Sequence, residues 1–176
     1  MNIVVLDGGT TNPGDLSWAP LEALGTLTVY PDTPPELVLD RARNAQAVIV
    51  NRVRLTREIL DALPELAYIG TLSIGVNQVD GAAARERGIP LCNVPLYCVD
   101  TVAQHALSLL LCLCGQVHAF SDTVRRGGWD DAVTMSHTTR PMVELSGKTL
   151  GILGYGHIGA KMAGFCLLYT SPSPRD

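Results

Sequence analysis

Short apolar runs alternate with segments of helical spacing from the first residue onward. Ile3-Val4-Val5-Leu6 is a continuous apolar run ended by Asp7-Gly8-Gly9, and a run of this kind bounded by turn residues predicts a strand buried on both faces. A polar loop through Asn12-Pro13-Gly14-Asp15 leads to a helix predicted over Leu16–Leu24, stopped by Gly25. Leu27–Tyr30 reads as a second strand, Pro34-Pro35 as the start of a helix, and Ala47–Val50 as a third strand. Thr56 is placed to cap a short helix that reaches Leu63, and Leu66–Ile69 reads as a fourth strand. A helix over Val79–Arg87 follows, with Gly88 at its C′ position, and then a short strand over Ile89–Val94. Repeated strand–helix units of this length predict a parallel sheet with helices on both faces, an α/β fold.

The pattern changes near residue 100. Asp100 or Thr101 can cap one long helix from Val102 to about Arg125, ended by Gly127-Gly128. Residues 129–146 show no period and read as an extended arm. A short strand over Thr149–Leu153 then runs into Gly154-Tyr155-Gly156-His157-Ile158-Gly159, which opens another helix. Strand, Gly-x-Gly-x-x-Gly and helix in that order form the phosphate-gripping turn of a dinucleotide-binding fold. The first glycine allows a tight turn, the second lets backbone approach a pyrophosphate, and the third lets the helix pack close to its strand. The free amides and positive dipole end of the helix face the anion. The expected organisation is a first domain over 1–100 and the start of a Rossmann domain over 101–166.

Composition narrows the function classes. The chain has 176 residues, 47% hydrophobic and 17% charged, with a formal net charge of −4. No basic run offsets that charge, so a nucleic-acid partner is not expected. The longest apolar run, Ala106–Cys114, is interrupted by Ser108 and is too short to span a bilayer. No secretory signal is visible, and a cytoplasmic location is expected. The five cysteines form no C-x-x-C pair, and Cys112 and Cys114 point to different helix faces. Buried reduced thiols are therefore expected rather than a metal site.

Several blocks in order resemble the D-isomer-specific 2-hydroxyacid dehydrogenases, most closely the hydroxypyruvate reductase (glycerate dehydrogenase) branch. They are Asn12–Trp18, Gly75-Val76-Asn77-Gln78-Val79-Asp80, Asn93–Tyr97 with Thr101–His105, Gly128-Trp129, and Glu144–Ile152 leading into the glycine turn. The resemblance covers about residues 1–166 and implies a flavodoxin-like substrate domain over 1–100 followed by the truncated start of a Rossmann NAD(P)-binding domain over 101–166. It implies reduction of a small 2-keto acid to the 2-hydroxy acid with NAD or NADP as cofactor, in a homodimer. Backbone amides of the loop Ser73-Ile74-Gly75 would meet the substrate carboxylate, with Gly75 freeing the turn. Ile74 would also border the nicotinamide, Val102 would line the cleft floor beneath it, and His157 and Ile158 would offer amides to the pyrophosphate between Gly154, Gly156 and Gly159. Arg52, at the carboxyl edge of the third strand, could draw in an acid substrate.

None of the four histidines (His105, His118, His137, His157) matches the family's catalytic one. The family's histidine, glutamate and arginine are expected downstream, as is the acidic ribose reader about 20 residues past the glycines. Leu167–Asp176 carries two prolines in place of a continuing helix and is similar to a translated sequencing-adapter tail, so it is set aside as non-native. The 176-residue chain by itself is expected to be inactive. A non-enzymatic NAD-binding regulator, corepressor-like and of the same fold, is the alternative. A receiver-like module would need an acidic acceptor after the third strand, where this chain has Asn51.

Overall fold

The computed structural model describes residues 1–129 and 140–167. The chain divides into two compact units between Pro95 and Leu96. His137, most of the expected arm and residues 168–176 lie outside the described residues.

The first unit is built on five parallel strands: β1 (Asn2–Val5), β2 (Thr26–Val29), β3 (Ala47–Val50), β4 (Tyr68–Thr71) and β5 (Leu91–Cys92), in the order β2-β1-β3-β4-β5. That order is the flavodoxin-type winding, which sets ligand sites at the carboxyl ends of the strands near the point where the order reverses. Alternation along the strands splits the core in two. Val4, Leu6, Val48, Val50 and Ile69 face a large cluster covered by α2 (Val38–Ala42), α3 (Arg57–Asp61) and α4 (Gly81–Glu86). Ile3, Val5, Ala47 and Ile49 face a smaller one, with Trp18 and Leu21 of the region around α1 (Ala19–Glu22) packed on it. Both faces of the central strands are thereby buried, which explains their unbroken apolar runs.

Several boundaries differ from the sequence-based expectation, each for a local reason. The first helix begins at Ala19 rather than Leu16. The Asn12 side chain accepts the Gly14 and Leu16 amides at 3.0 and 3.2 Å and donates to the Leu16 carbonyl at 2.8 Å, tying that backbone into a loop. The fourth strand lies two residues later than expected. The Ala67 and Tyr68 amides both donate to the Gln46 carbonyl, at 2.8 and 3.1 Å, which starts pairing at Tyr68. The fifth strand shrinks to Leu91–Cys92, because Pro90 cannot donate to a ladder. Thr56 does cap α3, and Asp80 caps α4 by accepting the Ala83 amide at 2.9 Å. Gly88 closes α4 at φ +68, the conformation expected of it.

Arg57 joins these two helices, donating to both Glu86 oxygens at 2.6 and 3.2 Å and reaching Asp80 at 4.0 Å. Its hydrogen bonds hold the Glu86 carboxyl below its ordinary range, although the pair is solvent-exposed and contributes little to stability.

The second unit contains α5 (Val99–Gly115), α6 (Val117–Arg125) and α7 (His157–Leu167). The single long helix expected over 102–125 is broken at Gln116, a left-handed residue at φ 52 whose side-chain amide caps the Leu113 carbonyl at 2.8 Å. Cys98, rather than Asp100 or Thr101, is the N-terminal cap of α5. Asp100 instead pairs with Lys161 of α7 at 2.6 Å. Gly127 ends α6 at φ +78, as expected. The segment Thr149–Leu153 is not a strand: no other strand is described in this unit, so its backbone has no neighbour to pair with. No single described helix is long and apolar enough to cross a membrane; α5 and α6 reach that length only together, bent by 57°. None of the five cysteines is fully buried, against expectation, because the α5 and α7 faces that carry three of them are only partly covered.

Candidate functional site

Two loops follow adjacent strands of the first unit at its carboxyl edge. The one after β3 carries Arg52. Its shape is set by Asp7, a residue that sequence patterning leaves as a mere strand end. The Asp7 carboxylate is 1% exposed and accepts the backbone amides of Asn51, Arg52 and Val53 at 2.8, 2.5 and 3.1 Å. Asn51 adds a bond from its side chain to the Thr10 hydroxyl at 2.8 Å. With its backbone fixed in this way, Arg52 projects an exposed side chain that makes no hydrogen bond or ion pair among the described residues. An acidic residue directly after an unbroken apolar strand was the only signal of this role in the sequence.

The loop after β4 holds Leu72, Ser73, Ile74 and Gly75. The Leu72 amide donates to the Val50 carbonyl at 2.8 Å, so this loop leaves the sheet beside the Arg52 loop. Ser73 donates to the Gly75 carbonyl at 2.8 Å, and Asn93 donates to the Ile74 carbonyl at 2.7 Å. Gly75 does not adopt a positive φ, and a Cβ there would touch nothing within 4 Å. Its backbone freedom is therefore not what shapes the turn, contrary to the reading from sequence. What it leaves is open space over an exposed stretch of backbone. Ile74 is 40% exposed.

The glycine turn of the second unit shows three glycines under three different constraints. Gly154 has φ +96. A Cβ at Gly156 would meet no protein atom within 4 Å, whereas a Cβ at Gly159 would run into the Gly154 carbonyl oxygen. The α7 helix begins at His157, and the first backbone donor returned into it is the Ala160 amide, bonded to the Gly156 carbonyl at 2.9 Å. The amides of His157, Ile158 and Gly159 precede that bond and are the unpaired donors of a helix N-terminus. The side chain of His157 is exposed. Val102 stands on the first turns of α5 at 41% exposure.

These constraints separate under substitution. Gly159→Ala should displace the start of α7 and shift backbone amide resonances across 154–163. Gly156→Ala should perturb only its immediate neighbours. Equal and local responses in both variants would contradict the packing assigned to Gly159.

Residues 4–170 match the family model described as D-isomer specific 2-hydroxyacid dehydrogenase, catalytic domain. The chain belongs to this family. Among its relatives, the hydroxypyruvate reductase of Blautia hydrogenotrophica is 41% identical over 162 residues, covering 90% of this chain and 50% of the relative. The glycerate dehydrogenase of Methylorubrum extorquens is 33% identical over 129 residues, covering 73% of this chain and 41% of the relative. The chain spans about half the length of the curated relatives it matches. Among solved structures, the D-lactate dehydrogenase of Aquifex aeolicus, complexed with NAD and lactic acid, superposes with a TM-score of 0.77. It is 22% identical, and the match covers 96% of this chain and 49% of that one, a likeness of fold alone. The family match extends into residues 167–170, the beginning of the segment set aside on sequence grounds.

Proposed function

We propose that this chain is the N-terminal part of an NAD(P)-dependent 2-hydroxyacid dehydrogenase that reduces hydroxypyruvate or glyoxylate. In this reading the first domain, about residues 1–100, binds the acid, and residues 101–166 begin the cofactor domain. The observation that carries the proposal is the division of labour within the glycine turn. Gly154 needs its positive φ and Gly159 its missing side chain for reasons internal to the fold. Gly156, the residue before α7, has no such internal reason, since a Cβ there would meet no protein atom within 4 Å. That fits a pyrophosphate held by backbone amides of His157 and Ile158.

A nicotinamide cofactor supplies the hydride when bound. This chain's residues bind and orient. Amides of the Ser73–Gly75 loop receive the substrate carboxylate, and Arg52 raises the local concentration of an anionic substrate. Ile74 and Val102 provide apolar surface against the nicotinamide. Acid–base groups are assigned to no residue here; an arginine, a glutamate and a histidine are expected downstream. Homodimerisation is supported by apolar α5 residues such as Leu109 and Leu113, which are 52% and 71% exposed. The location proposed is the cytoplasm.

A full-length protein carrying this segment should consume NADH or NADPH when given hydroxypyruvate or glyoxylate, followed by loss of nicotinamide absorbance. Gly156→Val in that protein should weaken cofactor binding by about tenfold or more, since it removes close backbone contact with a charged group. The 176-residue chain by itself should show no turnover. Absence of turnover in the full-length protein with either acid, or unchanged cofactor affinity in Gly156→Val, would overturn the proposal.

A further inference from the structure

The peptide groups of the loop after β4 are oriented from behind. A trans peptide is planar, with its carbonyl and its following N–H pointing in opposite directions, so fixing the oxygen aims the amide. Three successive carbonyls are fixed in this way. The Ser73 carbonyl accepts the Val94 amide at 3.1 Å and faces the buried Thr71 hydroxyl at 3.4 Å. The Ile74 carbonyl accepts the Asn93 side-chain amide at 2.7 Å. The Gly75 carbonyl accepts the Ser73 hydroxyl at 2.8 Å and faces the Thr71 hydroxyl at 3.3 Å. Gln78 completes the set by donating to the Ser73 hydroxyl oxygen at 3.3 Å, which leaves that hydroxyl's own proton for Gly75. The amides on the opposite ends of these three peptides, those of Ile74, Gly75 and Val76, have no protein acceptor among the described residues.

An exposed loop has no need of this arrangement, because water satisfies carbonyls as readily as amides. Here Thr71, at 2% exposure, and the side chains of Ser73 and Asn93 all serve carbonyls, and none serves an amide. We propose that Thr71, Ser73 and Asn93 are positioning residues that clamp three carbonyls and so present the Ile74, Gly75 and Val76 amides as a preformed anion-binding edge for the substrate carboxylate. This deepens the function proposed above and rests on it. Ser73 then acts through its hydroxyl on the turn rather than by touching substrate. Preorientation matters because a backbone donor aimed in advance loses no freedom when the anion arrives.

The test uses the 15N-labelled 176-residue chain and oxalate, a planar dianion that imitates a carboxylate beside a carbonyl. In the parent, the Ile74, Gly75 and Val76 amide resonances should move saturably with oxalate. Asn93→Ala should weaken that binding by about tenfold, and Thr71→Val, an isosteric change, by about threefold. Thr71→Ser, which keeps the hydroxyl, should restore parental affinity. Asn93 is exposed, so its truncation should leave the β1, β3 and β4 resonances in place. If the parent resonances do not respond, the carboxylate reading of the loop fails and the clamp fails with it. If the parent binds and Asn93→Ala and Thr71→Val bind equally well, the clamp alone is refuted.

Discussion

Asp7→Ala is expected to lower the unfolding free energy of the first unit by about 3 kcal/mol, the loss of hydrogen bonds from a charged acceptor with its amide donors left behind. The Asp7 carboxylate is 1% exposed and is the acceptor for three consecutive backbone amides after β3. Alanine removes every acceptor oxygen and leaves the Asn51, Arg52 and Val53 amides to whatever water can enter. Asp7→Asn keeps the shape and one oxygen, so it should cost about half as much. The comparison separates hydrogen bonding from packing, since the asparagine fills the same volume. Urea denaturation followed through Trp18, which packs on the sheet of the same unit, reads the change directly. An Asp7→Asn protein within about 0.5 kcal/mol of the parent, the range of an ordinary surface substitution, would sink the argument.

Hydrogen exchange should divide the chain sharply. All but one of the buried apolar residues named in the core lie in the first unit; the exception is Ala103 of α5. In the second unit Leu113, Val117, Leu153 and Tyr155 are 71%, 58%, 107% and 72% exposed. Helices draw most of their stability from packing an apolar face rather than from propensity. Amides of β1, β3 and β4 should therefore exchange about 10⁴-fold more slowly than the free chain, as a domain of ordinary stability requires. Amides of α5, α6 and α7 should be protected by only about 10- to 100-fold. Uniform protection across both units would show that the second has a core that its exposed side chains do not indicate. The same exposed surface makes association at high concentration an expected accompaniment.

Much of the first unit was legible in the chain because both sheet faces are covered, which forces apolar runs too plain to misread. Ile3–Leu6 and Ala47–Val50 are such runs, and a parallel sheet covered by helices follows from their alternation with helical segments, whereas the strand order β2-β1-β3-β4-β5 is set by the tertiary structure. Boundaries were less legible, since apolar character does not record which backbone groups pair. Leu66 and Ala67 look like strand residues, yet the Gln46 carbonyl takes the Ala67 and Tyr68 amides and shifts β4 onward. Without that shift Thr71 would not be the last residue of β4, and the loop would not start where Thr71 can reach its carbonyls. The glycine turn was readable because its spacing encodes constraint, but the strand before it was not. A strand exists only with a neighbour, and none is described beside Thr149–Leu153.

The sequence by itself determined the class of fold, the family and the location of the glycine turn. The fold class and the turn depend on local order, namely apolar period, caps and glycine spacing, and the family on blocks of residues that resemble it in the same order along the chain. Only the tertiary structure decided how the loops after β3 and β4 are held. Asp7 and the turn after β3 are 44 to 46 residues apart in sequence, and Asn93 lies 19 residues past the carbonyl it clamps. Hydrogen bonds of that span depend on which strands become neighbours, and no pattern along the chain records it.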